Sequence, residues 1–222
     1  MTASFTSQGS LTPDGIIAGQ DDLMTRQITL VSGENRVRGS VLGKVATGAA
    51  SSAAKSGGNT GTGTLTMDAS NPVRSGAKPG VYQVRFIAAA TNNGTFRVTD
   101  PDGFVLGDVV MAAGAGAFDN DVKFAVADGG TDFVVGDGFD ITVAAGSGKF
   151  KLSAAAAVDG SAAPSCILAE DCDASGGDKV TVAYFGGVFD ENALTYGAGH
   201  SKTTVREALR DLGIKLQSSI TR

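Results

Sequence analysis

The chain contains no tryptophan and a single histidine, and aromatic residues make up only 6% of its 222 residues. It also has little positive charge, with 18 Lys and Arg against 23 Asp and Glu and a net charge of −5. Because nucleic-acid-binding surfaces use clustered Lys and Arg to displace counterions, this balance argues against a nucleic-acid partner. No run of about 18 apolar residues occurs, so no membrane-spanning helix is predicted.

Cysteine is scarce as well, and two cysteines in a chain of this length are too few for a disulfide scaffold. The first twenty residues lack the basic start and the apolar core of a secretory signal peptide, so none is predicted. We therefore expect a protein that is made in a reducing cytoplasm.

Small residues are abundant, and glycine alone occupies 32 positions. Small residues with scattered Val, Ile and Phe favour short strands and tight turns over helices. Between residues 65 and 143, four runs centred on Val84, Arg97, Phe124 and Ile141 alternate apolar and polar residues with the period of a half-buried strand. Three pairs that favour tight turns separate these runs: Asn93-Gly94, Asp102-Gly103 and Asp128-Gly129. This pattern predicts a small β-sandwich or barrel.

The organisation of the chain is predicted to be nested. Residues 1–20 are polar without a sustained period and predict an extended arm. An outer β-rich domain comprises residues 21–46 and 147–222. It is interrupted by a flexible linker over residues 47–64, which are rich in Ala, Ser, Gly and Thr, and by an inserted β-domain over residues 65–146.

One amphipathic helix is predicted near the C-terminus. Its apolar face has residues at spacings of three and four: Val205, Ala208, Leu209 and Leu212. Thr204 followed three residues later by Glu207 is a capping-box pattern that predicts the start of the helix. Gly213 lies where a helix often ends with a residue in the left-handed region.

The segment CILAEDCDASGGDK, from Cys166 to Lys179, places two cysteines close to several carboxylates. Of all segments of the chain it most suggests a metal, redox or catalytic site. A disulfide needs Cα atoms roughly 5 to 6 Å apart, whereas six residues of extended strand would separate Cys166 and Cys172 by about 20 Å. A zinc site is not indicated, because there is no Cys-x-x-Cys and His200 has no partner histidine. We predict a strand over Ile167 to Glu170, then a turn, with two structural cysteines.

Other motifs are also better explained by structure than by chemistry. Residues 39–44 resemble a phosphate-binding loop but are one residue short and lack the following Ser or Thr. His200 lacks a Ser-containing elbow or a paired carboxylate, so we predict a loop histidine that hydrogen-bonds its turn. No catalytic, cofactor-binding or metal-binding residue is predicted. Calcium stays open for the insert's aspartates, which also suit turns: Asp119, Asp121, Asp128, Asp132, Asp137 and Asp140.

Four blocks of the outer segments follow one another in a specific order. They are RGSVLGKV (38–45), GKFKLS with DGSAAPSCILAEDCDASGGDK (148–179), GGVFDENAL (186–194) and GAGHSKTTVREALRDLGIKL (197–216). In these blocks the chain resembles the phage head decoration protein family, of the type found in phage lambda. The insert is a departure from the family pattern, as is Cys172, where the family usually has an aliphatic residue.

The resemblance implies a mainly β, β-tadpole-like decoration domain with a short C-terminal helix, interrupted by the inserted sandwich or barrel. It implies a structural protein, not an enzyme, that binds an expanded phage capsid as a homotrimer at local three-fold axes and stabilises it. The protein would be made in the host bacterial cytoplasm and lie on the outer surface of the virion, with no cofactor. Its arm would pair as an added strand with the major capsid protein. The candidate capsid-binding residues of the arm are Thr2, Ser4, Phe5, Leu11, Ile16 and Ile17.

Two alternatives stay open at this point. The insert could be a carbohydrate-binding or host-surface adhesion module, although Tyr82 is its only tyrosine and tryptophan is absent. The chain could also be a hydrolase that uses His200, although no motif supports one.

Overall fold

The computed structural model describes residues 15–19 and 22–218, which form sixteen strands and one helix. The strands are β1 (Met24–Leu30), β2 (Asn35–Arg36), β3 (Val41–Lys44), β4 (Thr47–Ala54), β5 (Thr64–Met67), β6 (Gly80–Ala90), β7 (Asn93–Thr99), β8 (Val105–Met111), β9 (Ala115–Asp119), β10 (Lys123–Ala127), β11 (Gly138–Ala145), β12 (Phe150–Leu152), β13 (Pro164–Leu168), β14 (Cys172–Asp173), β15 (Lys179–Asp190) and β16 (Ile214–Gln217). Helix α1 (Lys202–Asp211) lies between β15 and β16. The mainly β class with a short C-terminal helix is confirmed. None of the described helical residues forms a helix long and apolar enough to cross a membrane.

The outer domain is a ring of five strands, and we call it the body (residues 15–19, 22–46 and 146–218). Strands β1, β12, β3, β13 and β15 pair in that order, and β1 also pairs with β15, which closes the ring. The twelve-residue β15 is long enough to pair with β1 and β13 through its first part and with β16 through its last part.

Strand β13 is buried on both faces. Cys166 and Leu168 belong to a cluster shared with strands of the ring, whereas the intervening Ile167 packs with Val205 and Leu209 of α1. Successive side chains of a strand point to opposite faces, so one face of β13 contacts the interior of the ring and the other contacts the helix. The helix therefore covers this side of the body.

The cysteines are structural, as predicted. Cys166 and Cys172 are free thiols buried in the same apolar cluster, and burial raises the pKa of Cys166 to about 12. A thiol with such a pKa stays protonated and is a poor nucleophile near neutral pH. The predicted strand over Ile167 to Glu170 is wrong at its end, because β13 stops at Leu168 and the chain bends so that β14 can pair with β2.

The insert consists of two sheets around one apolar core, in agreement with the predicted sandwich or barrel. Five strands pair in the order β4-β11-β6-β7-β8 and three in the order β5-β10-β9. The four alternating runs of the sequence are β6, β7, β10 and β11. The turn predicted at Asn93-Gly94 is wrong, because both residues pair with β6 and the turn lies two residues earlier, at Thr91-Asn92, where Asn92 has a φ of 52°.

The first half of the flexible linker predicted over residues 47–64 is a strand instead. This strand is β4, which pairs antiparallel with β11 from Thr47 to Ala54. Ala and Ser have weak strand propensity, but pairing with a neighbouring strand decides strand formation here. The insert thus begins at residue 47, directly after the body.

The two chain segments between body and insert are hydrogen-bonded to each other. The backbone N–H of Gly146 donates to Ala46 at 2.9 Å, and the N–H of Val45 donates to Lys149 at the same distance. The backbone N–H groups of Ala46 and Thr47 also donate to the carbonyl oxygen of Asp159 in the body, at 2.8 and 3.1 Å. A paired junction replaces the expected flexible connection.

Replacement of residues 47–145 by Asn-Gly should leave a folded body. The Gly146 to Ala46 hydrogen bond is the one that closes a two-residue hairpin turn, and Asn-Gly favours such turns. The apolar clusters of body and insert share no residue, so the body should lose no core contact. Thermal unfolding and circular dichroism of the shortened chain test this. An unfolded product would mean that the body depends on the insert.

Helix α1 begins earlier than its capping pattern predicted. Its N-cap is Ser201, whose backbone N–H donates to the Thr204 hydroxyl at 2.9 Å, so Thr204 is the third helical residue. The predicted end is confirmed, because Gly213 follows the helix with a φ of 84°. The predicted apolar face is only half correct, since Ala208 and Leu212 are exposed.

Candidate partner-binding edge

Two of the six candidate capsid-binding residues lie among the described residues. Ile16 and Ile17 are half-buried and pack against the apolar cluster that contains Phe189 and the helix residues. Thr2, Ser4, Phe5 and Leu11 lie outside the described residues. The structure therefore attaches the last part of the arm to the body itself.

The attachment is a short antiparallel pairing, and we call residues 16–18 with 188–190 the arm edge. Ile17 pairs with Phe189. The N–H of Ala18 donates to the carbonyl of Val188 at 2.9 Å, and the N–H of Asp190 donates to the carbonyl of Ile16 at 2.8 Å. The side-chain amide of Gln217, at the end of β16, also donates to the carbonyl of Ala18. The arm thus joins the body as a strand.

The arm edge has a rigid support beneath it. Phe189 is fully buried, and the same cluster contains Val205 and Leu209 of α1 and Ile214 of β16. The segment FGGVFDE, which leads into the edge, is almost continuously buried. This apolar run at the end of a strand is the signal in the sequence that indicates a supported edge at Val188–Asp190. The predicted binding residues did not include these positions.

A buried carboxylate holds the helix against this support. Glu191 is 6% exposed, and its side chain forms ion pairs with Arg206 and with Lys202, the latter at 3.3 Å. Tyr196 donates its hydroxyl proton to the backbone carbonyl of Glu191 at 2.7 Å. Arg206 first, and then Lys202, hold the pKa of Glu191 below its usual value, although burial acts in the opposite direction.

Glu191→Gln should lower the thermal midpoint of the body at pH 7 by several degrees. Because the folded-state pKa of Glu191 is lowered, its contribution is present above the unfolded pKa and is lost as the pH falls through the folded value. The difference between wild type and variant should therefore shrink as the pH falls below 4.5, the ordinary pKa of a glutamate, and through the lower folded-state value. Glu207→Gln is the control, because Glu207 is an exposed partner of Arg210 in the same helix and such pairs contribute little. Equal effects of the two variants would contradict the role of Glu191.

His200 and Gly43, which the sequence analysis assigned to structure rather than to a site, make structural contacts. The Nε2 atom of His200 lies 2.9 Å from the carbonyl oxygen of Ala162, so the ring donates to the backbone. The loop position of His200 is confirmed, but the predicted hydrogen bond to its own turn is wrong, because Ala162 belongs to a distant loop of the chain. Gly43, from the motif that resembles a phosphate-binding loop, is buried in β3. Within the described ranges there is no group of three or more His, Cys, Asp or Glu arranged for a metal ion.

A model of the bacteriophage lambda head decoration protein D family matches residues 6–215 of the chain. The chain belongs to this family. Members of the family are structural proteins of the phage head, and the match places the protein with the capsid of a virion. The insert lies inside the matched range.

Other comparisons add little. No curated protein matches the chain. Two crystal structures of Xanthomonas campestris FlgL, in space groups H3 and C2, are each 25% identical to it and have TM-scores of 0.31. They cover 49% and 47% of this chain, and the chain spans 33% and 31% of FlgL. No argument about fold or function follows from a likeness of this size.

The insert of this decoration protein offers little for stacking against a sugar. Tyr82 is fully buried, with its hydroxyl held by the backbone N–H of Lys78 at 2.8 Å. Phe104 is the one strongly exposed aromatic residue of residues 47–145, at 68%, and the Lys78 ammonium lies 5.9 Å from its ring centroid. The adhesion alternative gains no support from these positions.

Proposed function

We propose that this decoration protein binds the outer surface of an expanded phage head as a homotrimer and stabilises it. The part of the arm before the arm edge, residues 2–14, pairs as an added strand with the major capsid protein. The observation that carries the proposal is the family match, which spans the arm edge and both parts of the body. The protein is synthesised in the host cytoplasm and acts without a cofactor.

The geometry of the arm edge supports strand addition. In an antiparallel pair, backbone groups of successive residues point alternately toward and away from the partner strand. Ile16 and Ala18 are bonded to β15, so the N–H and C=O of Ile17 point away from it. A capsid strand that pairs with the preceding arm residues can therefore continue alongside the body. Main-chain pairing needs few specific side chains, which suits the polar sequence of the arm.

An exposed apolar face of the body supports the trimer. Met24 and Leu212 are each 51% exposed and line one groove together with Phe185, over whose ring the Arg26 guanidinium lies at 5.2 Å. Contacts between copies would cover these side chains. Three arms on one trimer would then engage the capsid together, so that a modest affinity per arm gives a high avidity.

Sedimentation with phage heads tests the proposal. The purified chain should cosediment with expanded heads that lack a decoration protein and should not cosediment with unexpanded ones. A density map of the decorated heads should show three copies around each occupied axis, with the arms directed toward the capsid. Failure to bind expanded heads would refute the proposal, and single copies in the map would refute its trimeric part.

A further inference from the structure

A short loop of the body lies against the junction with the insert, and we call its residues 159–161 the clasp. The carbonyl oxygen of Asp159 accepts two backbone hydrogen bonds, from Ala46 at 2.8 Å and from Thr47 at 3.1 Å. Ala46 is the last residue of the body before the insert, and Thr47 is the first residue of the insert. One carbonyl of the clasp therefore holds both sides of this connection.

The clasp is itself fixed to two strands of the body. The Asp159 carboxylate accepts hydrogen bonds from the Lys151 ammonium of β12 at 2.7 Å and from the Ser161 hydroxyl at 2.6 Å. Burial alone would raise the pKa of Asp159, but these hydrogen bonds hold it below its usual value, so the carboxylate is charged at neutral pH. The carbonyl oxygen of the fully buried Ser161 lies so close to β3 that a Cβ at Gly43 would be 1.9 Å from it.

The clasp and the junction are closely packed. Gly160 has a φ of 87°, and an added Cβ there would lie 2.6 Å from the Cβ of Ala46. Within the junction, a Cβ at Gly146 would lie 2.4 Å from the carbonyl oxygen of Val45. Both distances are shorter than real Cβ contacts, so a larger residue at either position would displace the chain next to it.

Packing between the two domains does not replace this attachment. The apolar clusters of body and insert share no residue. Asn71, Arg74 and Ser75 of the insert face residues 155–158 of the body across a cleft of about 330 Å³. Domains that are joined without a large apolar contact move relative to each other by default. The hydrogen bonds at the junction are therefore the contacts that can fix the orientation of the insert.

We propose that the clasp holds the insert at a fixed angle to the body. The two domains are joined by two chain segments, and a two-stranded connection is only marginally stable by itself. The clasp connects one of these segments to β3 and β12, so the insert becomes a rigid extension of the body. This inference does not depend on capsid binding.

Distances between two spin labels, measured by pulsed electron paramagnetic resonance on the full-length protein, test the clasp. One label is attached at Ala208→Cys on α1 and the other at Gln83→Cys on β6, because both positions are exposed on regular elements. The native Cys166 and Cys172 are buried and should not take up label. Dilution with unlabelled chains restricts the measurement to label pairs within one chain. The labelled protein should give one narrow distance distribution.

Gly160→Ala, introduced into the labelled protein, should push the clasp away from Ala46 and broaden the distance distribution by about twofold or more. Gly148→Ala is the matched control. Gly148 also has a positive φ, of 71°, but the one atom near its added Cβ is a side-chain carbon of Lys44 at 3.8 Å. The control has a comparable backbone strain without a contact to the clasp, so its distribution should stay narrow.

Asp159→Ala is a second, independent variant, because it removes the carboxylate that fixes the clasp to Lys151 and should also broaden the distribution. Its control is Asp178→Ala. Asp178 is likewise paired with a lysine, Lys149, but it accepts a backbone hydrogen bond from Ser32 and not from the clasp.

The proposal is wrong if the labelled protein already gives a broad distribution. It is also wrong if Gly160→Ala and Asp159→Ala fold, as judged by circular dichroism, and keep the narrow distribution. Equal broadening by a variant and its control would contradict it as well, because backbone strain or the loss of an ion pair would then explain the result. Should Gly160→Ala fail to fold, the comparison of Asp159→Ala with Asp178→Ala decides.

Discussion

Deletion of residues 2–14 should reduce binding to expanded heads by roughly 100-fold or more and leave the thermal midpoint of the protein unchanged. The deleted residues supply the proposed added strand, and all three arms of a trimer are lost together, so the loss is multiplied by avidity. The cut lies before Ile16, so the arm edge and its contacts with β15 remain intact. Cosedimentation over a range of protein concentrations measures the loss.

A longer deletion, of residues 2–19, distinguishes the part of the arm that binds the capsid from the part that stabilises the body. It also removes Ile16 and Ile17, which are half-buried against the body, and should cost about 2 kcal/mol of unfolding free energy in addition to the loss of binding. If the shorter deletion binds expanded heads like the full chain, the arm is not the capsid-binding element. If the two deletions are equally stable, the arm edge contributes nothing to the body.

The sequence predicted well those elements whose signal is local. Alternation around Val84 and Ile141 predicted β6 and β11, and Gly213 predicted the end of the helix, because each pattern depends on a few adjacent residues. The structural role of Cys166 and Cys172 also followed from the residues around them. The family resemblance, which rests on the order of several blocks, is confirmed by the match over residues 6–215.

Elements that depend on a distant partner were missed. Residues 47–54 contain only Thr, Gly, Ala and Ser, and their strand exists because β11, almost a hundred residues later, pairs with them. Likewise, nothing in the sequence near Ile16 and Ile17 indicates that Val188–Asp190 holds them. The contact between Asp159 and the junction is a further property of the assembled chain, because Asp159 is distant from Ala46 in the sequence.

Gly43→Ala should destabilise the body by about 3 kcal/mol and leave the insert folded. An added Cβ would lie 1.9 Å from the carbonyl oxygen of Ser161 and 2.6 Å from its carbonyl carbon, so backbone rather than a flexible side chain must move. Gly138→Ala is the counterpart in the insert, because its Cβ would lie 1.9 Å from the carbonyl oxygen of Val84. Calorimetry should show two unfolding transitions, one for the body and one for the insert. Gly43→Ala should lower the midpoint temperature of the first, and Gly138→Ala should lower that of the second.

The variants Gly43→Ala and Gly138→Ala also test which of the two domains binds the capsid. Because the arm edge belongs to the body, Gly43→Ala should weaken binding to expanded heads at temperatures where the body is partly unfolded, whereas Gly138→Ala should bind normally. Gly176→Ala is the control, since Gly176 is exposed, has no atom within 4 Å of the added Cβ and does not have a positive φ. It should be neutral or slightly stabilising, because alanine restricts the unfolded chain. The opposite result would be a single unfolding transition whose midpoint both Gly43→Ala and Gly138→Ala lower. It would mean that the paired junction at Ala46 and Gly146 couples body and insert into one folding unit.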